Sequence, residues 1–124
     1  MRMQNQLKER LKKLNCLYEV IRLINHPVIS INEILEGVTE LIPSAMRYPR
    51  LAGTRLIFGN ESHESPNFKE TPWKISQNAL IHDKHFEIIT CYREEKEFRE
   101  EEVELLKKIA HQLKSLLDFK LEWI

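Results

Sequence analysis

Between Leu7 and Ile24 the apolar residues Leu7, Leu11, Leu14, Leu17, Tyr18, Val20, Ile21, Leu23 and Ile24 recur at intervals of three and four, with no Gly or Pro among them. That spacing predicts a helix. Its first half carries only the narrow stripe Leu7, Leu11, Leu14 and Tyr18, flanked by Lys8, Arg10, Lys12 and Lys13, which is the pattern of a coiled-coil seam. The second half adds Leu17, Val20 and Ile24, an arc wide enough to lie on a sheet. Asn25-His26-Pro27 ends the helix, because Pro restricts the residue before it and has no backbone donor. Ser30, three residues before Glu33, opens a second helix with a capping box, and Ile31, Ile34, Leu35, Val38, Leu41 and Ile42 make its apolar face. Pro43 is expected to stop it.

The period then changes. Leu51–Phe58 reads as a strand, Gly59-Asn60 as a turn and Glu61–Ser65 as a short polar return strand. The segment 65–72 contains Pro66 and Pro72 and is expected to be a structured connection carrying one buried aromatic, Phe68. Trp73–Ile81 and Phe86–Tyr92 follow as strands separated by a tight turn at His82-Asp83-Lys84-His85. From Phe98 the helical period returns through Val103, Leu106, Ile109, Ala110, Leu113, Leu116, Leu117 and Leu121, with Leu105, Phe119 and Trp123 widening the arc. The prediction is an α+β fold, with the helices collected on one side of an antiparallel sheet. Residues 1–124 are expected to form one domain, with 1–14 a candidate coiled-coil dimerisation extension.

Composition narrows the functions. Nineteen Lys+Arg balance nineteen Asp+Glu, so there is no global positive field for nucleic acid. The chain has no apolar run of about 18 residues or more, which predicts no membrane segment and a cytoplasmic protein. Cys16 and Cys91 lie far apart in apolar segments and read as buried thiols rather than a redox or metal pair. Among the five histidines, His82 and His85 flank a turn and read as solvated rather than metal-binding. His111 lacks the sequence that follows a phosphoacceptor histidine. Glu100, Glu101, Glu102 and Glu104 open the last helix, where its positive end favours them, and they are expected to be solvated. A nucleophilic Ser or Cys needs a nearby base and an oxyanion site often made by glycine-flanked amides, and Gly37, Gly53 and Gly59 alone build no Gly-rich phosphate cradle. Hence no catalytic residue, metal or cofactor is predicted.

Several segments resemble GAF-like sensory domains of prokaryotic signal transduction. They are Leu14-Asn15-Cys16-Leu17-Tyr18, Glu33-Ile34-Leu35-Glu36, Leu41-Ile42-Pro43, Asn67-Phe68-Lys69-Glu70-Thr71-Pro72-Trp73 and the closing run Phe98…Glu101-Glu102…Leu105-Leu106…Ile109-Ala110-His111-Gln112-Leu113. The resemblance implies a GAF-like central antiparallel sheet with the N- and C-terminal helices packed together on one face, often forming a parallel bundle with a second copy. It also implies a signalling output domain such as a histidine kinase or a PAS domain. The homodimer is expected to use Leu7, Leu11, Leu14, Tyr18, Leu113, Leu116, Leu117, Phe119 and Leu121. Residues 57–81 are too few to wrap a cyclic nucleotide or a bilin, neither cysteine matches a chromophore attachment site, and the grouped cysteines of GAF-type methionine sulfoxide reductases are missing. A pocket for an unidentified small molecule would be lined by Tyr48, Phe58, Phe68, Trp73 and Tyr92; otherwise these five fill the core. The expected function is a non-catalytic sensory and dimerisation module that relays changes in helix packing to an output domain. The alternatives are a thiol-dependent enzyme using Cys91 and a structural domain that binds no ligand.

Overall fold

The computed structural model describes residues 2–122. Helices α1 (Arg2–Ile24) and α2 (Ile31–Ser44) come first, followed by a short 3-10 turn at Pro49–Leu51. Strands β1 (Ala52–Phe58), β2 (Glu61–Glu64), β3 (Lys74–Ile81) and β4 (Lys84–Tyr92) then lead to helix α3 (Glu100–Glu122). The antiparallel sheet has the order β2-β1-β4-β3, so the fold is α+β.

Local chemistry sets the element boundaries. Ser30 caps α2 as expected: its hydroxyl accepts the Glu33 N–H at 3.1 Å while the Glu33 carboxylate accepts the Ser30 N–H at 3.3 Å. Pro43 does not stop α2; it sits inside the last turn. Proline's φ suits a helix, and its missing N–H bond and the crowding of its ring against the carbonyl four residues back fall where α2 is already ending, one residue before its last. The helix closes just beyond it, with the Ala45 N–H on Ile42 O at 3.0 Å and the Met46 N–H on Pro43 O at 3.2 Å. At the β3–β4 turn His82 and Asp83 have φ of 50° and 65°. Positive φ at both central residues is what a two-residue hairpin with right-handed strand twist requires, and His and Asp tolerate it better than most residues.

The sheet has two unlike faces. On one, Thr54 lies opposite Thr90 and Leu56 opposite Ile88. These residues, with Ala52, Phe86, Ile81 and Tyr92, meet Ile34, Leu35, Val38 and Ile42 of α2 and Leu106, Ile109, Leu113 and Leu117 of α3 in one core. The buried Thr54 and Thr90 hydroxyls satisfy each other at 2.9 Å. On the other face Gly53, Ile89 and Cys91 are covered by residues 65–72, which strap the sheet from β2 across to β3. A Cβ at Gly53 would stand 2.5 Å from Phe68 Cα, so only glycine admits the strap. Ser65 and Thr71 fasten its ends: Ser65 Oγ accepts the Thr54 N–H at 3.0 Å and Thr71 Oγ1 donates to Tyr92 O at 2.6 Å.

Helices α2 and α3 lie on the sheet, against β1 and β3 respectively, and α1 lies on those two helices rather than on the strands. The wide half of α1 was expected to cover the sheet; its Cys16 and Val20 instead complete the helix side of the core. Contacts fix the helix directions. Lys12 and Lys13 reach the carbonyls of Met46 and Ala45, Cys16 lies against Leu41, and Leu23 against Gly37, so α1 and α2 are antiparallel. Glu102 meets Arg47 just after α2, so α3 starts where α2 ends. Consequently α1 and α3 run in the same direction.

Candidate functional site: an exposed seam on the first helix

The buried arc of α1 holds the helix. Cys16 and Val20 are enclosed, and Leu17, Leu23 and Ile24 pack around them. Leu23 Cδ1 would stand only 2.9 Å from a Cβ at residue 37, so Gly37 lets the two helices approach closely. On the opposite side of α1 lie Leu7, Leu11, Leu14 and Tyr18, 57, 57, 63 and 64% exposed. Their spacing of four, three and four residues puts all four on one line along the helix. Isolated apolar residues on a surface need no explanation, but an aligned row of four large ones makes this the candidate contact surface. The row borders a groove of about 410 Å³ between α1 and α3, with Leu14, Leu17 and Leu105 among its walls. Arg10, Lys13 and Lys108 also line it, together with Glu100, Glu101 and Glu104.

The half of the expected interface on α3 is corrected by the structure. Leu113, Leu116 and Leu117 are buried in the chain's own core, leaving no surface for a partner. Phe119 is 60% exposed, while the side chain of Leu121 lies outside the described residues, as does Trp123. The stripe on α3 had a partner inside the chain, the sheet; the stripe on the first half of α1 does not.

The five aromatics read as lining a pocket, or otherwise as filling the core, are distributed over the molecule. Tyr48 and Tyr92 meet edge to face at 5.5 Å, and Tyr92 stacks on Phe98 at 4.3 Å. Phe58 lies at the other end of β1, with Lys84 Nζ 5.6 Å from its ring. Phe68 sits in the strap beneath the Arg55 guanidinium, on the sheet face away from the helices. Trp73 packs at the edge of the core. Of these five, only Phe58 lines the open cleft of about 760 Å³ between the hairpin turns and the start of α2.

One buried group escaped the sequence reading. Glu102 was expected among solvated acids but is 0% exposed. Its carboxylate accepts the Arg99 N–H at 2.8 Å, the Arg47 N–H at 3.2 Å and the Tyr92 hydroxyl at 2.5 Å. The signal was present: residue 102 is in step with Leu106, Ile109, Leu113 and Leu116, the buried line of α3. Burial holds the Tyr92 phenol well above its ordinary value, and the Glu102 hydrogen bond and charge add to the effect.

Cys16 and Cys91 are both buried, one among the helices and the other under the strap on the far face of the sheet. Burial pushes the Cys16 thiol up to about 12, against the opposing pull of Lys13. His82 Nε2 lies 3.7 Å from Asp118 Oδ1 and His85 Nε2 lies 3.9 Å from Glu87 Oε1. Among the described residues no group of three or more His, Cys, Asp or Glu side chains could hold a metal ion, and no helix is long and apolar enough to cross a membrane.

No family model, curated protein or solved structure matches this chain. The exposed seam is therefore read from its own geometry.

Proposed function

We propose that the protein is a non-catalytic dimerisation and sensory module. In this reading two copies pair through α1, and the packing of their helices is relayed to an output domain such as a histidine kinase or a PAS domain. The observation that carries it is the unbroken row Leu7, Leu11, Leu14 and Tyr18, exposed on the side of α1 directly opposite its buried arc. A second copy supplies an identical row, which is the self-complementarity that a two-fold contact needs. The parallel course of α1 and α3 suits a relay, since a displacement along α1 reaches the start of α3 first and travels along it in the same sense. A relay shifts a population only as far as the input prefers one packing; a tenfold preference corresponds to about 1.4 kcal/mol.

The GAF-like resemblance leads to the same arrangement, with α1 pairing in parallel. In register, a parallel pair brings Leu11 against its own copy, whereas an antiparallel pair brings it against Leu14. Leu11→Cys is thus expected to form a disulfide-linked dimer under mild oxidation, because the two native thiols are enclosed. The combination of Leu11→Cys protein with Leu14→Cys protein is expected to give mainly the two homodimers. Abundant mixed dimer would overturn parallel pairing, and absence of any crosslink would count against the seam.

A further inference from the structure

Four elements converge on residues 45–48, the start of the link between α2 and β1. From α1, Lys12 Nζ donates to Met46 O at 3.0 Å and Lys13 Nζ to Ala45 O at 3.3 Å. From α3, Glu102 accepts the Arg47 N–H at 3.2 Å. From β4, the Tyr92 hydroxyl oxygen accepts the Tyr48 N–H at 3.4 Å while donating to Glu102. Residues 45–48 are themselves the exit of α2, so every helix and a central strand are tied to a stretch of four residues.

The two sides of this knot differ in kind. Glu102 and Tyr92 are fully buried, and removing either would strand the other without its partner in a dry site. The lysines are partly exposed and are also held by Glu9, at 3.0 Å from Lys12 and 3.4 Å from Lys13. They sit on the first two carbonyls past α2, at the C-cap Ala45 and the next residue, beside the negative end of the helix, which favours a cation. That contact can open without exposing the core. Leu11 and Leu14 flank the two lysines in sequence, so whatever moves the seam moves these ammonium groups first.

We infer that residues 45–48 form the joint through which the position of α1 is passed to the start of α3 and the end of β4. Lys12 and Lys13 are its detachable coupling and the Glu102–Tyr92 pair its fixed anchor. The inference rests on the seam being a pairing surface. A shift of α1 on pairing draws the carbonyls of Ala45 and Met46 with the lysines, and so moves the next two amides against Glu102 and Tyr92. The hydrogen bonds of the Arg47 and Tyr48 amides then report the state of a surface they do not touch. Lys12 and Lys13 are positioning residues here.

The test is amide hydrogen exchange at Arg47 and Tyr48, read at protein concentrations above and below the midpoint of dimer formation. Wild type is expected to show a severalfold concentration dependence at both amides. K12M/K13M is expected to lose that dependence while sedimentation still finds a dimer, and K12R/K13R, which keeps the cations, to behave as wild type. Undiminished dependence in K12M/K13M would overturn the joint, as would no dependence in a wild type that dimerises. A wild type that sediments as a monomer at every concentration overturns the pairing reading and the joint with it, and sedimentation alone identifies that outcome. Should K12M/K13M lose its helical circular dichroism, Lys12→Met alone is expected to reduce the dependence, and an unchanged dependence there contradicts the coupling.

Discussion

The first half of α1 and the last half of α3 carry nearly the same apolar stripe, yet they end in opposite surroundings. On α3 the stripe turns inward, and Leu113, Leu116 and Leu117 close the core against the sheet. On α1 the inward side is taken by Cys16, Val20 and the lysine contacts, leaving Leu7, Leu11, Leu14 and Tyr18 outside. A period of three and four says that a stripe will be covered but not by what. The width of the arc decides: α1 has two apolar sides along its middle, and a helix lying on only two others can bury one of them.

Truncating the two stripes is the sharpest way to break this comparison. Leu113→Ala should lower the unfolding free energy by about 2–5 kcal/mol, since it opens a cavity in a closed core. Leu11→Ala should change the stability of the dilute protein by less than about 0.5 kcal/mol. Urea titrations of both variants check this, and equal losses would show that α1 is packed in a way the exposed row contradicts.

A smaller effect, read by pH, comes from one buried group on α1 and one bonded to α3. Tyr92, bonded to α3 through Glu102, has its folded value raised, and so does Cys16 of α1. For each group the unfolded chain gives up its proton first. The stability these groups contribute is complete below their ordinary values of 10.0 and 9.0 and declines above them, for Cys16 until about 12. The urea midpoint should therefore fall as pH rises above 9.0. Tyr92→Phe and Cys16→Ala should each flatten part of that fall, even where they lower stability at neutral pH. A fall of the same steepness in both variants would contradict the assignment.

Much of the fold was legible because local rules agreed with the global arrangement. The capping box at Ser30 and Glu33 formed as read, the hairpin turns fell at Gly59-Asn60 and His82-Asp83, and the prolines on either side of Phe68 marked the strap. What escaped depended on three-dimensional neighbours. Pro43 was read by its general effect on helices, not by its tolerance in a last turn. Glu102 was read by its charge, although its position on the buried line of α3 places its carboxylate among three donors. The five aromatics, read as a pocket lining or else as core, divide by strand parity and by the path of the strap: Tyr92, Tyr48, Phe58 and Trp73 pack in or against the core, and Phe68 lies on the other side of the sheet.

Sedimentation equilibrium of wild type and of Leu11→Asp/Leu14→Asp, each at about 100 μM, decides whether α1 pairs through its exposed row. The account predicts a dimer for wild type and a folded monomer for the variant, whose acidic side chains would meet their own copies across the seam. A monomeric wild type, or a dimer that withstands both substitutions, would contradict it.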